Sequence, residues 1–122
     1  MAAFLQQCRL LTGATQEMKV AREETFGPLA AVIPFRTEAE ILDWANASEF
    51  GLAGYVFTRD LNRAWRMGEG LETGMVGINT GAISTPVSPF GGVKQSGFGR
   101  EGSLYGCDDY LDIKAMCFGG LG

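Results

Sequence analysis

Residues 53 to 79 read AGYVFTRDLNRAWRMGEGLETGMVGIN, and the stretch changes its periodicity twice. Ala53 to Thr58 is rich in β-branched and aromatic residues and reads as a buried strand. Asp60 then stands where an N-cap belongs, ahead of Leu61, Ala64, Trp65 and Leu71 on one helical face. Gly74 is placed to stop that helix, and Met75 to Asn79 makes a second short strand. Two strands joined by a helix-bearing crossover are the signature of parallel pairing, because antiparallel neighbours need only a tight turn.

The same pattern lies one step upstream. Leu29 to Ile33 is an apolar run of strand length, and Pro34, which lacks the N–H that a ladder needs, marks its end. Thr37 and Glu40 fit a capping box, with Ile41, Leu42, Trp44 and Ala45 following on a helical spacing to about Ser48, and Gly51 in position to end the helix. The middle of the chain therefore predicts an α/β fold with a parallel β-α-β-α-β core covered by helices.

Outside that core the periodicity weakens. Thr80 to Gly99 holds five glycines or prolines before Gly97 and predicts a long loop of the kind that is functional when it is ordered. Arg100 to Leu111 predicts a short helix, and Ile113 to Phe118 alternates enough for a terminal strand.

Composition narrows the function classes. The chain has 122 residues, 46% apolar and 20% charged, with a net charge of −4, which fits one soluble globular domain or part of one. Without a block of Lys or Arg there is no electrostatic footprint for nucleic acid. The opening MAAFLQQCRLL is too short an apolar run to span a membrane and carries no clear cleavage site. Cys8, Cys107 and Cys117 lack metal-ligand spacing, and there is no His, so neither a metal site nor a Cys-His pair is expected; buried free thiols are. Gly97 to Gly102, GFGREG, matches the dinucleotide fingerprint G-x-G-x-x-G. Its context fails, since no predicted strand runs into Gly97 and the position 20 beyond Gly102 is Gly122 rather than an acid.

Several separated motifs identify a family. Glu23 to Pro28 (EETFGP), N-x-x-x-x-G-L-A-x-x-V-F-T from Asn46 to Thr58, G-M-V-G-I-N from Gly74 to Asn79, and Pro89 to Gly97 (PFGGVKQSG) follow in order. Together they resemble the C-terminal part of the NAD(P)-dependent aldehyde dehydrogenases, over about residue 12 onward. Within that family the likeness is to succinate-semialdehyde dehydrogenases, because Ile83-Ser84 precedes the PFGG segment, VKQSGFGREG runs through it, and KAMCFGGL closes the chain. Residues 1–11 remain unassigned, residues 12–111 are expected to be catalytic-domain sequence, and residues 112–122 an oligomerisation strand and tail.

The resemblance implies roles for four residues. Glu24 matches the glutamate that hydrogen-bonds the ribose next to the nicotinamide, and Phe26 the aromatic that packs near the nicotinamide ring. A carboxylate suits a pair of hydroxyls, and a flat apolar face suits the ring. Ser84 matches a position that helps bind the substrate's distal carboxylate, and Phe90 an aromatic of the substrate tunnel. Read as bare residues, these would be a solvated acid, a packed aromatic, a turn serine and a second packed aromatic, and Lys94 and Arg100 would be surface charges. The implied cofactor is NAD or NADP, held mainly by a domain outside this chain. The implied partners are a small aldehyde and further copies of the subunit, with no nucleic acid and no membrane, in the cytoplasm or the mitochondrial matrix.

The implied reaction is oxidation of succinate semialdehyde to succinate, the second step in degrading 4-aminobutyrate. The family's nucleophilic cysteine, general-base glutamate and oxyanion-stabilising asparagine fall upstream of the matched region, so no catalytic residue is assigned here and the chain alone is expected to be inactive. The alternative expectation is a non-catalytic interaction module that keeps the fold and pairs with a full-length subunit.

Overall fold

In the computed structural model, residues 8–120 and 122 are described; the opening segment's reading therefore falls partly outside them. The two βα units are present. Strand β1 (Arg9–Thr12) and helix α1 (Lys19–Arg22) precede strand β2 (Leu29–Val32) and helix α2 (Glu38–Asn46). Strands β3 (Phe50–Gly51) and β4 (Ala53–Val56), helix α3 (Leu61–Gly70), and strands β5 (Met75–Ile78) and β6 (Val93–Lys94) follow.

Helix starts obey the sequence. The Thr37 hydroxyl accepts from the Glu40 N–H at 3.1 Å, while the Glu40 carboxylate reaches one residue beyond a capping box, accepting from the Arg36 N–H at 2.7 Å. Asp60 caps α3 twice, accepting from the Asn62 and Arg63 N–H groups at 2.9 and 3.1 Å. The Arg63 N–H, then that of Asn62, holds the Asp60 carboxyl below its ordinary range.

The predicted single parallel core is corrected. Among the described residues β4 pairs in parallel with β5, as expected, but β2 pairs in parallel with β1, and β3 pairs antiparallel with β6. No hydrogen bond joins β2 to β4. The β2 partner is β1, most of it in the segment left unassigned, whose Arg9 to Thr12 match Leu29 to Val32 one to one. A four-residue strand with no turn signal at its start is below what periodicity can detect.

Other expectations also shift. Gly51 does not stop α2, which ends at Asn46; it sits in β3 against Val93. Helix α3 ends at Gly70, short of Gly74. The predicted helix over 100–111 shrinks to one 3₁₀ turn, Asp108–Tyr110, because Gly102 and Ser103 both take positive φ (67° and 57°), which interrupts a helix. Residues 111–120 form no strand: a lone extended segment finds no ladder partner in the described residues. The three cysteines are free but exposed, not buried, since the segments that carry them border no core.

That last point is general. Among the described residues the side chains of Ala14, Ala64 and Met67 are the buried apolar ones, and no large side chain is fully enclosed. The surface measures 10359 Å², against about 6,400 Å² for a compact monomer of 13.1 kDa. About 4,000 Å² of extra surface is therefore open, and Tyr55, Phe57, Ile78, Leu10 and Val32 stand exposed on or beside the strands. No helix among the described residues is long and apolar enough to cross a membrane.

Candidate functional site

The organising centre is where α2, α3 and the glycine-rich loop meet. The Asn46 side chain, on the last residue of α2, donates to the Gly70 carbonyl at 2.7 Å and accepts from the Glu72 N–H at 2.8 Å, tying the two helix ends together. Lys94 donates its ammonium to the Asn46 carbonyl at 2.7 Å and the Ser48 carbonyl at 3.2 Å, and pairs with Glu72 at 2.7 Å. A cation on the terminal carbonyls of α2 also complements the negative end of the helix dipole. The Ser96 hydroxyl accepts from the Gly51 N–H at 3.0 Å, and the Gln95 N–H donates to the Glu49 carbonyl at 3.0 Å.

Sequence reasoning left Lys94 and Arg100 as surface charges, and both are structural staples. The Lys94 side chain is only 25% exposed. Arg100 donates from its guanidinium to the Gly92 and Gly99 carbonyls at 2.8 and 2.7 Å, and its own N–H donates to Asp109 at 2.9 Å. The signal was available: Asn46, Lys94 and Arg100 all fall within the quoted motifs or directly after them. No helix opens at Gly102, so GFGREG is a loop held by its own arginine rather than a phosphate cradle.

The four implied ligand-binding residues separate into two places. Glu24 and Phe26 lie in the loop between α1 and β2, which is pinched by successive bonds from the Gly27 N–H to the Thr25 carbonyl (2.9 Å) and from the Leu29 N–H to the Gly27 carbonyl (2.8 Å). Glu24 is exposed at the border of a cavity of about 530 Å³, and Phe26 is 95% exposed. A carboxylate and an uncovered aromatic ring two residues apart fit a ribose and a flat heteroaromatic ring, one accepting hydroxyls and the other offering a face.

Ser84 and Phe90 share a second, open groove of about 470 Å³ with Thr85, Pro86, Glu101 and Gly102. Its shape is set by backbone bonds. The Phe90 and Glu101 main chains exchange two hydrogen bonds at 2.9 and 2.7 Å, and the Ser103 N–H donates to the Pro86 carbonyl at 3.0 Å. Glu24 and Ser84 line different cavities, and Leu52 and Ser96 line both the Glu24 cavity and a neighbouring one of about 430 Å³ that Phe90 also lines. The junction at Ser96 is thus the structural link between the two sides.

Two parallel strand pairs and one antiparallel pair, joined by short helices, carry these two loops. The chain belongs to the aldehyde dehydrogenase family, whose model matches residues 3–116 and so takes in β1 as well. It is 62% identical over 112 residues to a succinate semialdehyde dehydrogenase of Acinetobacter baylyi and 59% identical over 112 residues to a 3-sulfolactaldehyde dehydrogenase of Pseudomonas putida. In each case 92% of this chain is covered and 23% of the relative, so the chain spans about a quarter of their length. A solved Escherichia coli NADP-dependent enzyme superposes with a TM-score of 0.88 at 57% identity, covering 93% of this chain and 24% of that one.

Proposed function

We propose that this chain supplies the ribose contact and the aldehyde-side groove of a dehydrogenase that oxidises succinate semialdehyde to succinate with NAD or NADP. The observation that carries the reading is the groove shared by Ser84 and Phe90, held by the Phe90–Glu101 main-chain pair. A hydroxyl beside an aromatic wall suits a short chain that ends in an anion: Phe90 covers the methylenes and Ser84 donates to the distal carboxylate. The names of the relatives support an anionic substrate, one with a carboxylate and one with a sulfonate.

Glu24 accepts from the ribose hydroxyls and Phe26 covers one face of the nicotinamide, excluding water from it. That ring, when bound, supplies the hydride acceptor. Neither residue is a nucleophile or a base for the aldehyde, and the three cysteines stand apart from both sites: none lines the Ser84 groove or the Glu24 cavity. The chain alone therefore orients ligands without performing the chemistry, and purified chain with succinate semialdehyde and NAD or NADP yields no absorbance at 340 nm.

The decisive test uses a chimera in which residues 8–120 replace the matching quarter of the Acinetobacter baylyi relative. Ser84→Ala removes one hydrogen bond to a charged group, about 1.5–3 kcal/mol, so KM for succinate semialdehyde rises by roughly 10- to 100-fold with kcat nearly unchanged. The KM for an uncharged aldehyde of equal length stays put. An equal loss on both aldehydes would sink the carboxylate role of Ser84.

A further inference from the structure

The side chain of Asn79 finishes the β4–β5 ladder where the backbone leaves it. Along this parallel pair the Met75 N–H donates to the Leu52 carbonyl at 3.1 Å and the Asn79 N–H to the Val56 carbonyl at 2.8 Å, with Ala53 to Val56 matched to Met75 to Ile78. One further step of a parallel ladder would have the Asn79 carbonyl accept from the Thr58 N–H and the Gly81 N–H donate to the Thr58 carbonyl. The Asn79 carboxamide makes both contacts instead: its Oδ1 accepts from the Thr58 N–H at 2.8 Å and its Nδ2 donates to the Thr58 carbonyl at 2.8 Å. The backbone of Asn79 meanwhile takes a φ of 55°, a left-handed turn that asparagine adopts more readily than most residues.

With the ladder closed by a side chain, the main chain is released early, and it folds straight back over β5. A Cβ on the buried Gly77 would lie 2.7 Å from the Thr80 carbonyl oxygen and 2.8 Å from Ile83 Cγ2, so residues 80 and 83 both rest on that bare stretch of backbone. The Ala82 N–H donates to the Thr80 hydroxyl at 3.1 Å and closes the turn between them. Ile83 is half-buried there, and the next residue is Ser84, in the wall of the groove it shares with Phe90. On the β4 side the same two bonds hold Thr58, whose hydroxyl accepts from the N–H of Asp60, the cap of α3, at 3.1 Å.

We infer that Asn79 is the positioning residue that sets the Ser84 hydroxyl for the distal anion of the substrate. The inference rests on the reading of Ser84 as the contact to that anion. Asn79 touches no ligand in this assignment. It fixes where the chain leaves the sheet, and the segment 80–83, seated on Gly77, carries that fixed point to Ser84. A hydroxyl bond to a carboxylate is short and directional, so a displacement of Ser84 by about 1 Å forfeits it. Phe90 is held separately, by its main-chain pair with Glu101, and keeps its place when Asn79 is altered. The loss therefore falls on the charged end of the substrate rather than on binding in general.

The test uses the same chimera and compares succinate semialdehyde with the uncharged aldehyde of equal length. Asn79→Gly keeps the positive φ and deletes the carboxamide; KM for succinate semialdehyde should rise about tenfold, while KM for the uncharged aldehyde and kcat for both stay nearly unchanged. Asn79→Asp keeps the acceptor for the Thr58 N–H and loses only the donor. Assayed in high salt, which screens the added charge, it should fall between Asn79→Gly and the parent, and it serves if the glycine variant does not fold. In the Ser84→Ala background Asn79→Gly should add nothing to KM, because both act on one contact. Effects that add in full, or an equal loss on both aldehydes, would overturn the proposal. Amide exchange over residues 80–84 gives a readout apart from turnover: Asn79→Gly should speed it at least about tenfold, and unchanged exchange would overturn the proposal even if KM moved. Ser84→Ala without a KM change removes the anion contact itself and the role of Asn79 with it. A raised KM in Ser84→Ala beside a silent Asn79→Gly removes the inference alone.

Discussion

The junction of α2, α3 and the glycine loop and the strand pair β1–β2 both bury few apolar side chains, yet they are held in opposite ways. At the junction the polar groups of Asn46, Lys94, Glu72 and Ser96 meet one another or a backbone group at 2.7 to 3.2 Å. In β1–β2 the parallel ladder stands alone, with Leu10, Leu11, Leu29 and Val32 between 38% and 67% exposed. The first region carries its constraints within the chain. The second takes its driving force from apolar area, and that area is still in water, so it depends on what covers it. Breaking a stitch at the junction should therefore cost stability even in an assembled enzyme, whereas β1–β2 should respond to the presence of a partner.

The strongest way to break the junction is to add a single methyl group. A Cβ on Gly74 would run into the Gly91 carbonyl oxygen, with the Gly91 carbonyl carbon and the Gly92 Cα at 2.8 Å; all three are backbone, so no side chain can swing aside. Gly74→Ala is expected to cost about 3 kcal/mol or more, at the upper end of overpacking. Gly81→Ala, where nothing lies within 4 Å, should stay within about 0.5 kcal/mol. Urea midpoints of the two variants in the chimera decide this, and comparable shifts would remove Gly74 from the junction's support.

Lys94→Met comes next. It leaves two carbonyls at the end of α2 and the Glu72 carboxylate without their shared cation, a loss of about 1–2 kcal/mol given that Glu72 is 59% exposed. Because Lys94 anchors the turn that carries Ser96, two residues on, and Ser96 lines the cavities on both sides, KM values for cofactor and aldehyde should rise together. A stability loss with both KM values unchanged would confine Lys94 to structure.

These residues also show what a sequence can disclose. The caps at Thr37 and Asp60 and the β4–α3–β5 crossover were legible because they depend on neighbours a few positions away. Strand β1 and the Asn46–Lys94–Glu72 knot were not, since 20 to 48 positions separate their partners and no local period records them. The terminal segment pairs with no strand among the described residues for a related reason. Alternation at Ile113 to Phe118 reports the capacity to pair, while pairing needs an edge brought into register, and this segment meets none among the described residues. Among the candidate ligand residues, the motifs named Ser84 and Phe90 separately, and the groove they share comes from the Phe90–Glu101 pairing; that Glu24 and Phe26 face outward depends on the two tight bonds at Thr25 and Gly27, which the letters EETFGP do not spell out.

The smallest effect lies at the far end of α2, where Glu38 ties the first turn to α3. Its carboxylate accepts from the Arg63 Nε at 2.6 Å and from Arg66 at 2.9 to 3.0 Å, and it lies near the positive end of the α2 dipole. The Arg63 hydrogen bond first, then that of Arg66, holds its carboxyl below the ordinary glutamate range. A folded-state value below the unfolded one gives stability that is present in full above the unfolded pKa and fades as pH falls through the folded one. The thermal midpoints of the parent and Glu38→Gln should thus differ by a constant small amount at neutral pH and converge only at the acid end. With the arginine side chains about half exposed, the gap should also close in 1 M salt, where screening acts within about 3 Å. A gap that survives both acid and salt would mean that Glu38 holds α2 to α3 by packing rather than by charge, and this end of the helix pair would then resemble the junction more than the open strands.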